Sequence, residues 1–402
     1  MIMKDILLLK NGNIDFEELA KFYKKHLLQK VMPFWTEHCL DARNGGVNNI
    51  VDDFGNVLST DRYLWSQGRV LWTLSALYEC TGDKYWLAYA DKTAEFLLKY
   101  GRNKEGRWYF KITSNGEIIE GPKCIYVDGF AIIGLTEYAR VSKNSDAVKA
   151  ALDTYNIIEP MLYDHAKIPV EPYKIPEGMQ SQGIFMLFSH AVFKLGLLLN
   201  DRDIIDVSVR LADKIYYEHF KTDEKLIHEF VIPGGELTDN DAAKTVIPGH
   251  AIESMWSMES IYTHMGMKEK AEVCMEAVKW HLEKGWDNEY GGLFLAIHTQ
   301  NGVPAWHAHD HKVWWPICES IYAVIRAYET TGKEWCLNWL EKLHNYAFST
   351  FPNSEYNEWL HAFDRTGQNA DRIAKIPVKD PFHLPRSLLA SISSLERIEQ
   401  KR

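Results

Sequence analysis

The sequence predicts an all-α fold, an (α/α)6 barrel with short β-hairpins in the loops at the active-site end. Two observations support this prediction. About six helices that are apolar on nearly every side alternate along the chain with about six amphipathic helices. The pairs recur about once every sixty residues, a spacing typical of repeat architectures. Because a helix that is apolar all round belongs in a core, the apolar set should form an inner ring and the amphipathic set an outer ring.

A two-layer helical solenoid is the competing architecture, since it also stacks helix pairs. We favour the closed barrel because six pairs suffice to close it and neither terminal helix has a polar outer cap. No Pro/Gly/Ser-rich linker or low-complexity run interrupts the chain. We therefore expect residues 1–402 to form a single catalytic domain.

The inner helices are predicted from their apolar runs. In chain order these are Val70–Cys80, Phe130–Ala139, Ile184–Leu199, Ala251–His264, the helix that Trp314-Trp315-Pro316 opens, and Ser387–Ile398. The outer helices are predicted from apolar residues at helical spacing. They are Phe16–Trp35, Tyr85–Tyr100, Ala147–Leu162, Ile204–Phe220, Lys268–Trp286 and Glu334–Phe351.

Short strands are predicted in the loops between the helices, where turn residues separate alternating or β-branched runs. The predicted hairpins and strands are Gly45–Ser59, Trp108–Ile119 around Asn115-Gly116, Leu226–Ile232, Gly291–Ile297 with Val303–Trp306 around Asn301-Gly302, and Glu358–Asp364 with Arg372–Ile376.

The composition narrows the class of protein. The chain is 46% hydrophobic and 25% charged, which is ordinary for a globular protein and argues against disorder. Its net charge of −10 argues against a nucleic-acid partner, because phosphate binding needs clustered Lys and Arg. The 14 Trp, 20 Tyr and 17 Phe fit two interpretations equally, sugar binding by ring stacking and packing of a core of large residues.

Cysteine usage and apolar runs bear on the compartment. The six cysteines are widely spread without a CxxC pair, which predicts free thiols in a reducing compartment. The apolar run Ile6–Leu9 is too short for a secretory signal, and no stretch approaches the roughly 18 apolar residues of a membrane span. We therefore expect a cytoplasmic protein without a membrane partner, and a homodimer is left open.

Polar residues stand at the starts of the predicted inner helices, and in a barrel of helix pairs every inner helix begins at the same end. These residues are Gln67, Arg69, Asp128, Gln182, His250, Glu253, Glu319, His383 and Arg386. His250 and Glu253 are three residues apart, as are His383 and Arg386, so each pair shares one helix face. We expect the set to converge on one concave pocket, the usual form of a small-molecule site.

Each of these residues also has a purely structural interpretation. A histidine at a helix start can simply be hydrogen-bonded there, and Glu253 and Glu319 could belong to a buried ring of ion pairs with the arginines. Asp128 could cap its helix, and the tryptophan pair could be core. The recurrence at matching helix starts favours a functional site, since independent structural uses need not fall at matching positions.

A second cluster suggests a metal only by its composition. Three histidines and an aspartate occur in His307-Ala308-His309-Asp310-His311. Consecutive loop residues rarely close one coordination sphere, so hydrogen bonding within the loop is favoured and no metal site is predicted. The sequence contains no GxSxG, Walker A or GxGxxG pattern.

Five motifs together resemble the N-acylglucosamine 2-epimerase family. They are Gln67-Gly68-Arg69, Pro248-Gly249-His250-Ala251-Ile252-Glu253, Lys312-Val313-Trp314-Trp315-Pro316 with Glu319, Glu358-Trp359 and Phe382-His383-Leu384-Pro385-Arg386. They follow the family's order and span most of the chain. The resemblance implies an (α/α)6 barrel that needs no redox cofactor, with a site formed by Arg69, His250, Glu253, Glu319, His383 and Arg386.

The family includes N-acetylglucosamine 2-epimerases, cellobiose 2-epimerases and mannose isomerases, so the resemblance implies chemistry at C2 of an open-chain sugar. One base removes the C2 proton to give a cis-enediolate, and an acid on the other face returns a proton. We assign His250 and His383 as this pair, because imidazole has a pKa near 7. Arg69 would stabilise the enediolate oxygen, and Glu253 and Glu319 would orient the histidines or help to open the ring. The predicted substrate-binding residues are Tyr126, Asp128, Gln182, Trp314, Trp315 and Arg386.

The third inner helix departs from one part of the family. Cellobiose epimerases and mannose isomerases carry Asn-x-x-x-His there, whereas this chain has Gln182 and Met186, with His190 one turn further on. The Phe-His-Leu-Pro-Arg ending resembles the N-acetylglucosamine 2-epimerase branch. We therefore expect interconversion of N-acetylglucosamine and N-acetylmannosamine or a related aldose pair. Aldose–ketose isomerisation, cellobiose 2-epimerisation, glycoside hydrolysis by two carboxylates and non-catalytic sugar binding remain as alternatives.

Overall fold

The fold is a closed double ring of helices. The computed structural model describes residues 9–10, 13–165, 168–368 and 378–401. The helices in chain order are α1 (Phe16–His26), α2 (Met32–His38), α3 (Leu64–Thr81), α4 (Lys84–Tyr100), α5 (Ile125–Ser142), α6 (Ser145–Ile158), α7 (Gln182–Leu199), α8 (Arg202–Lys214), α9 (Pro248–His264), α10 (Lys268–Gly285), α11 (Trp314–Thr331), α12 (Glu334–Thr350) and α13 (His383–Gln400). A π-helical turn (Leu27–Val31) joins α1 to α2, a second (Ile215–His219) follows α8, and a 3-10 turn (Glu159–Tyr163) follows α6.

The inner ring consists of α3, α5, α7, α9, α11 and α13. Each of these helices packs on the next, and α13 packs back on α3. The outer helices α1, α4, α6, α8, α10 and α12 each pack against an inner neighbour. Since the last inner helix contacts the first, the closed barrel is confirmed and the solenoid alternative is wrong.

Several inner helices begin earlier than their apolar runs suggested. Helix α3 begins at Leu64, α5 at Ile125 and α13 at His383, so the polar residues lie in the first helical turns and not in the preceding loops. The prolines fit this placement, because a first-turn N–H has no partner within the helix. Helix α9 begins at Pro248 itself. The polar residues therefore project from rigid elements.

Short strands connect the helices. They are β1 (Leu9–Lys10), β2 (Asn13–Ile14), β3 (Ile50–Val51), β4 (Val57–Ser59), β5 (Arg62–Tyr63), β6 (Lys111–Ile112), β7 (Ile118–Glu120), β8 (Gln180–Ser181), β9 (Phe220–Lys221), β10 (Leu226–Ile227), β11 (Phe230–Val231), β12 (Thr245–Val246), β13 (Ile297–His298), β14 (Lys312–Val313) and β15 (Ala362–Phe363). Strands β5, β8 and β14 run directly into α3, α7 and α11, so they lie at the end of the barrel where the inner helices begin.

The predicted hairpins have mixed outcomes. Strands β3 and β4 pair, and so do β6 and β7 around Asn115-Gly116, as predicted. The predicted pairing of Gly291–Ile297 with Val303–Trp306 is wrong, because β13 pairs with β12 instead. Asn301-Gly302 does form a turn, but beyond it the backbone N–H of Ala305 donates to Thr245 Oγ1 and the chain does not return along β13.

The other two predicted strands have different outcomes. The run Leu226–Ile232 divides into β10 and β11, which pair with different partners, β9 and β8. The bend between them places His228 and Glu229 at the end of the barrel where β8 enters α7. The predicted strand Arg372–Ile376 lies outside the described residues.

Helix α7 corrects the expectation about membrane spans. Gln182–Leu199 is long and apolar enough to meet the length and composition of a membrane span, although 67% of it is buried inside the protein. Its apolarity has a structural cause, because α7 packs between α5 and α9 in the inner ring and against α8 outside. The six cysteines are free, as predicted, and five of them are buried.

Helices α3 and α5 approach each other closely at a pair of glycines. A Cβ on Gly68 would lie 2.5 Å from the carbonyl oxygen of Phe130, and a Cβ on Gly134 would collide with the carbonyl oxygen of Gly68. Both obstacles are backbone atoms, which cannot rotate away. The glycines are thus required by the packing distance between the two inner helices.

We predict that Gly134→Ala destabilises the protein by about 1–3 kcal/mol, because the added methyl overpacks the α3–α5 contact. Helix propensity alone would favour alanine at this position by about 1 kcal/mol. The sign of the change in the free energy of unfolding therefore separates overpacking, which lowers this free energy, from helix propensity, which raises it. The measurement is urea unfolding of the variant and the parent. Gly121→Ala serves as the control, because a Cβ there meets nothing within 4 Å. A stabilised Gly134→Ala variant would contradict the packing argument.

Candidate active site

One arginine connects three inner helices at the end where they begin. Arg386, in the first turn of α13, uses Nη2 to bond Glu319 Oε1 of α11 at 2.7 Å and also bonds Glu253 Oε1 of α9. All three residues are buried. A buried charge without a partner is strongly unfavourable, so these groups fix one another's positions. The structure thus brings together Glu253, Glu319 and Arg386 as the helix-start argument predicted.

His383 is held by Glu319. Its Nδ1 lies 2.8 Å from Glu319 Oε1, while the other carboxylate oxygen accepts the indole N–H of Trp256 at 3.1 Å. A carboxylate only accepts hydrogen bonds, so Nδ1 carries a hydrogen and a neutral ring presents the lone pair of Nε2. Nε2 has no hydrogen-bond partner among the described residues. The predicted orienting role of Glu319 fits this geometry.

His250 is held in the same way by a residue that sequence analysis missed. Its Nδ1 lies 3.0 Å from Glu229 Oε2, and Glu229 Oε1 accepts the hydroxyl of Ser181 at 2.9 Å and the backbone N–H of Gly183 at 3.3 Å. Glu229 lies between β10 and β11 and is 3% exposed. One signal could have found it, since it is a carboxylate inside the apolar run Leu226–Ile232.

The imidazole rings of His250 and His383 both contact the indole ring of Trp315. The ring of Trp315 lies 5.2 Å from the ring of His250 and 5.5 Å from that of His383, measured between centroids. Gly249 makes this approach possible, because a Cβ there would lie 2.5 Å from the Trp315 ring. A second indole, Trp306, stands edge-on to His250 at 6.0 Å. The side chains of His250 and His383 are 23% and 10% exposed, so neither ring is completely enclosed.

The two histidines differ in their electrostatics. Burial lowers the pKa of His250, but the charge and hydrogen bond of Glu229, together with the charge of Glu253, outweigh burial and raise the pKa above its usual value. Burial also lowers the pKa of His383, and the nearby cations Arg69 and Arg386 lower it further. The charge of Glu253 raises this pKa but offsets only part of the lowering. The pKa of His383 therefore lies well below its usual value. Two imidazoles whose pKa values are pushed apart suit opposite roles in proton transfer.

Arg69 lies beside this cluster in an aromatic cage. Its guanidinium carbon lies 4.1 Å from the ring centroid of Phe130, 4.8 Å from that of Trp65 and 5.0 Å from that of Phe382. Nη1 approaches Asp380 at 3.4 Å. Such stacking fixes the guanidinium plane while leaving N–H groups for an anionic ligand.

Other predicted residues lie apart from the cluster. Asp128 has no exposed surface, and its carboxylate binds the guanidinium of Arg107 and the backbone N–H of Trp108. The contacts of this carboxylate are thus an ion pair with Arg107 and not a bond to either histidine. The ring of Trp314 contacts that of His361, with 4.4 Å between the ring centroids and an angle of 51° between the ring planes.

Tyr126 and Gln182, which were predicted to bind the substrate, lie close to other polar groups of the site. The Tyr126 hydroxyl, Ser181 Oγ and Glu229 Oε1 would all lie within 3.6 Å of a Cβ on Gly183, so they converge beside the carboxylate of Glu229. The amide nitrogen of Gln182 bonds the hydroxyl of Ser254 on α9. His190 lies deeper in the barrel, with Nδ1 3.1 Å from Ser257 Oγ and its ring edge-on to Trp256.

Neither candidate cluster has the form of a metal centre. Within the described ranges one trio, Glu253, Glu319 and His383, offers ligand atoms within 4.8 Å of one another. The guanidinium of Arg386 already binds both of its carboxylates, so a metal ion would have to displace a cation. In the histidine-rich loop, His311 Nδ1 bonds Asp310 at 3.1 Å, in line with the predicted hydrogen bonding within the loop.

We predict that Glu229→Gln lowers the pKa of His250 by about 1 or more, because the amide keeps the shape and removes the negative charge. The measurement is an NMR titration of the histidine Cε1–H signals. Glu224→Gln is a matched control, because Glu224 bonds a different imidazole, His228, at 3.0 Å. An unchanged His250 titration in a folded Glu229→Gln protein would contradict the assigned contact.

The chain is similar to proteins of one enzyme family. A model of the N-acylglucosamine 2-epimerase family matches residues 45–384. The N-acylglucosamine 2-epimerase of Bos taurus is 27% identical over 376 residues, which cover 90% of this chain and 87% of that protein. The cellobiose 2-epimerase of Dictyoglomus turgidum is 25% identical over 342 residues, covering 79% of this chain and 83% of that protein.

Solved structures show the same fold. The cellobiose 2-epimerase of Bacillus thermoamylovorans B4167 superimposes with a TM-score of 0.81 at 21% identity, covering 94% of this chain and 99% of that one. A D-mannose isomerase gives a TM-score of 0.76 at 16% identity over 95% of this chain and 98% of that one. Because the family model spans most of the chain, this protein belongs to the N-acylglucosamine 2-epimerase family.

Proposed function

We propose that this protein is a sugar 2-epimerase that interconverts N-acetylglucosamine and N-acetylmannosamine or a related aldose pair. One observation carries the proposal. Two imidazoles, His250 and His383, are each held at Nδ1 by a separate carboxylate and lie against the same indole, that of Trp315. Mammalian relatives named N-acylglucosamine 2-epimerase support the choice of substrate class.

The proposed chemistry begins after the sugar ring opens, because C2–H is acidic only beside an aldehyde. One imidazole accepts the C2 proton at Nε2 while the electron pair moves onto the C1 oxygen as a cis-enediolate. The other imidazole, protonated at Nε2, returns a proton to C2 on the opposite face. Holding Nδ1 fixes the ring orientation and leaves Nε2 for the transfer, as general acid–base catalysis requires.

Arg69 is the proposed stabiliser of the enediolate. Its plane is fixed by three aromatic rings, and it raises the local positive potential beside His383. Preorganised cations of this kind lower the barrier to forming an oxyanion in a site that excludes water. Glu253 bonds Arg386, and the carboxylate that bonds His250 Nδ1 is that of Glu229.

The alternatives differ in what they require of the same groups. Glycoside hydrolysis needs one carboxylic acid and one carboxylate, but Glu253 and Glu319 share the guanidinium of Arg386, which leaves neither placed as a proton donor. Aldose–ketose isomerisation shares the enediolate and differs only in the carbon that receives the proton. The product therefore decides between epimerase and isomerase.

The deciding experiment is proton NMR in D2O with N-acetylglucosamine, N-acetylmannosamine, glucose, mannose and cellobiose as separate substrates. An epimerase gives the inverted aldose with deuterium at C2. Formation of a ketose would replace the proposal with isomerisation. The absence of exchange in every sugar would exclude an enediolate mechanism for these substrates.

We predict that His383→Asn lowers the rate of C2 deuterium incorporation by about 100-fold or more, because asparagine cannot accept the proton. The thermal midpoint should stay close to that of the parent. His264→Asn is the matched control, since His264 is exposed at the far end of α9 and packs on Phe193. Full exchange activity in His383→Asn would end the assignment of this histidine.

A further inference from the structure

The two glutamate–histidine pairs are built alike but supported differently. Glu229, which holds His250, accepts its other hydrogen bonds from neutral donors, the hydroxyl of Ser181 and a backbone N–H. Glu319, which holds His383, accepts a hydrogen bond from the guanidinium of Arg386 at 2.7 Å on the same oxygen that faces the imidazole. One carboxylate therefore keeps its full negative charge and the other is compensated by a cation.

The charges around each ring follow from these contacts. His383 faces Glu319 of α11, Glu253 and His250 of α9, Arg386 of α13 and Arg69 of α3, so two anions are balanced by two arginines. His250 faces Glu229 from the β10–β11 loop, Glu253 within α9 and His383 of α13, and the indoles of Trp306 and Trp315 are in ring contact with it. An imidazolium is stabilised near His250 and disfavoured near His383.

We propose that Arg386 is a positioning residue that helps to set which imidazole holds the proton: together with Arg69 it compensates the carboxylates around His383, which keeps His383 neutral in the free enzyme and leaves the proton on His250. This inference rests on the proposed function for its catalytic meaning. The structural part, the location of the proton before any sugar binds, stands on the contacts alone. The opposite directions of the two pKa changes agree with it.

The consequence is a free enzyme that is prepared for one epimer. For a sugar whose C2–H faces His383, the C2–H bond breaks, its proton goes to His383 Nε2 and its electron pair forms the enediolate. His250 then gives its Nε2 proton to C2, and the enediolate electron pair forms the new C–H bond. The enzyme ends with His383 protonated and His250 neutral. Water must exchange these protons before the next turnover in that direction, whereas the product epimer reacts from this second form.

The test measures the two imidazoles directly. The sugar-free full-length protein, labelled with 13C at histidine Cε1, is titrated by NMR, and His383→Asn and His250→Asn identify the two signals. In the parent the pKa of His250 should exceed that of His383. In Arg386→Met the pKa of His383 should rise by about 1 or more, since Glu319 loses its compensating cation. The charge-preserving variant Arg386→Lys should keep it low.

Two further variants separate electrostatics from general disruption. Glu253→Gln removes an anion and should move the pKa of His383 in the opposite direction, downward. Arg397→Met removes another arginine from the same helix, one that binds Glu329 and lies far from the pocket, and should leave both histidines unchanged. If Arg386→Met does not fold, the double variant Arg386→Met with Glu253→Gln is compared with Glu253→Gln alone, and the pKa of His383 should be higher in the double variant.

The result that overturns the inference is a parent protein in which His383 has the higher pKa, or a folded Arg386→Met variant in which the pKa of His383 does not rise. Because no sugar is present, this failure is distinct from failure of the proposed function. Catalysis on none of the tested sugars would refute the epimerase while leaving the titration result intact.

Discussion

The buried ion pairs of Arg386 are the constraint on which the site depends. One guanidinium bonds carboxylates from two other helices, so the first turns of α9, α11 and α13 can meet only in one arrangement. Burying these charges is unfavourable unless all are paired, and removal of Arg386 would leave two buried carboxylates without the cation that they share. The same contacts place Glu319 against His383, so the packing of the helices and the position of this imidazole have one cause.

The closed barrel brings side chains that are far apart in sequence to the same end of the protein. Helix α13 closes the ring against α3, which sets His383 beside Arg69 although more than three hundred residues separate them. Inner helices that all begin at one end present their first turns to the same space. Two imidazoles can then lie against one indole, an arrangement suited to moving a proton from one face of a carbon to the other.

Much of this was predictable from local pattern. Apolar runs identified the inner helices, and polar residues within a few positions of those runs identified Arg69, His250, Glu253, Glu319 and His383 as a group. The predictions failed where pairing depends on distant segments. The turn at Asn301-Gly302 forms, but the strand before it joins β12, because a two-residue strand has too few hydrogen bonds of its own to choose a partner.

The sequence by itself determined the alternation of helices and the placement of polar residues at helix starts, because both depend on neighbours within one or two turns. Only the tertiary structure decided which hydrogen-bond and ion-pair partners these polar residues have. Glu229, which lies in a loop twenty-one residues before His250, bonds that histidine. Asp128 bonds Arg107. Arg386 binds the carboxylates of two other helices. Which charge meets which is fixed when the ring closes, since the energy of a buried charge depends on every group within a few ångströms and not on the residues beside it in the chain.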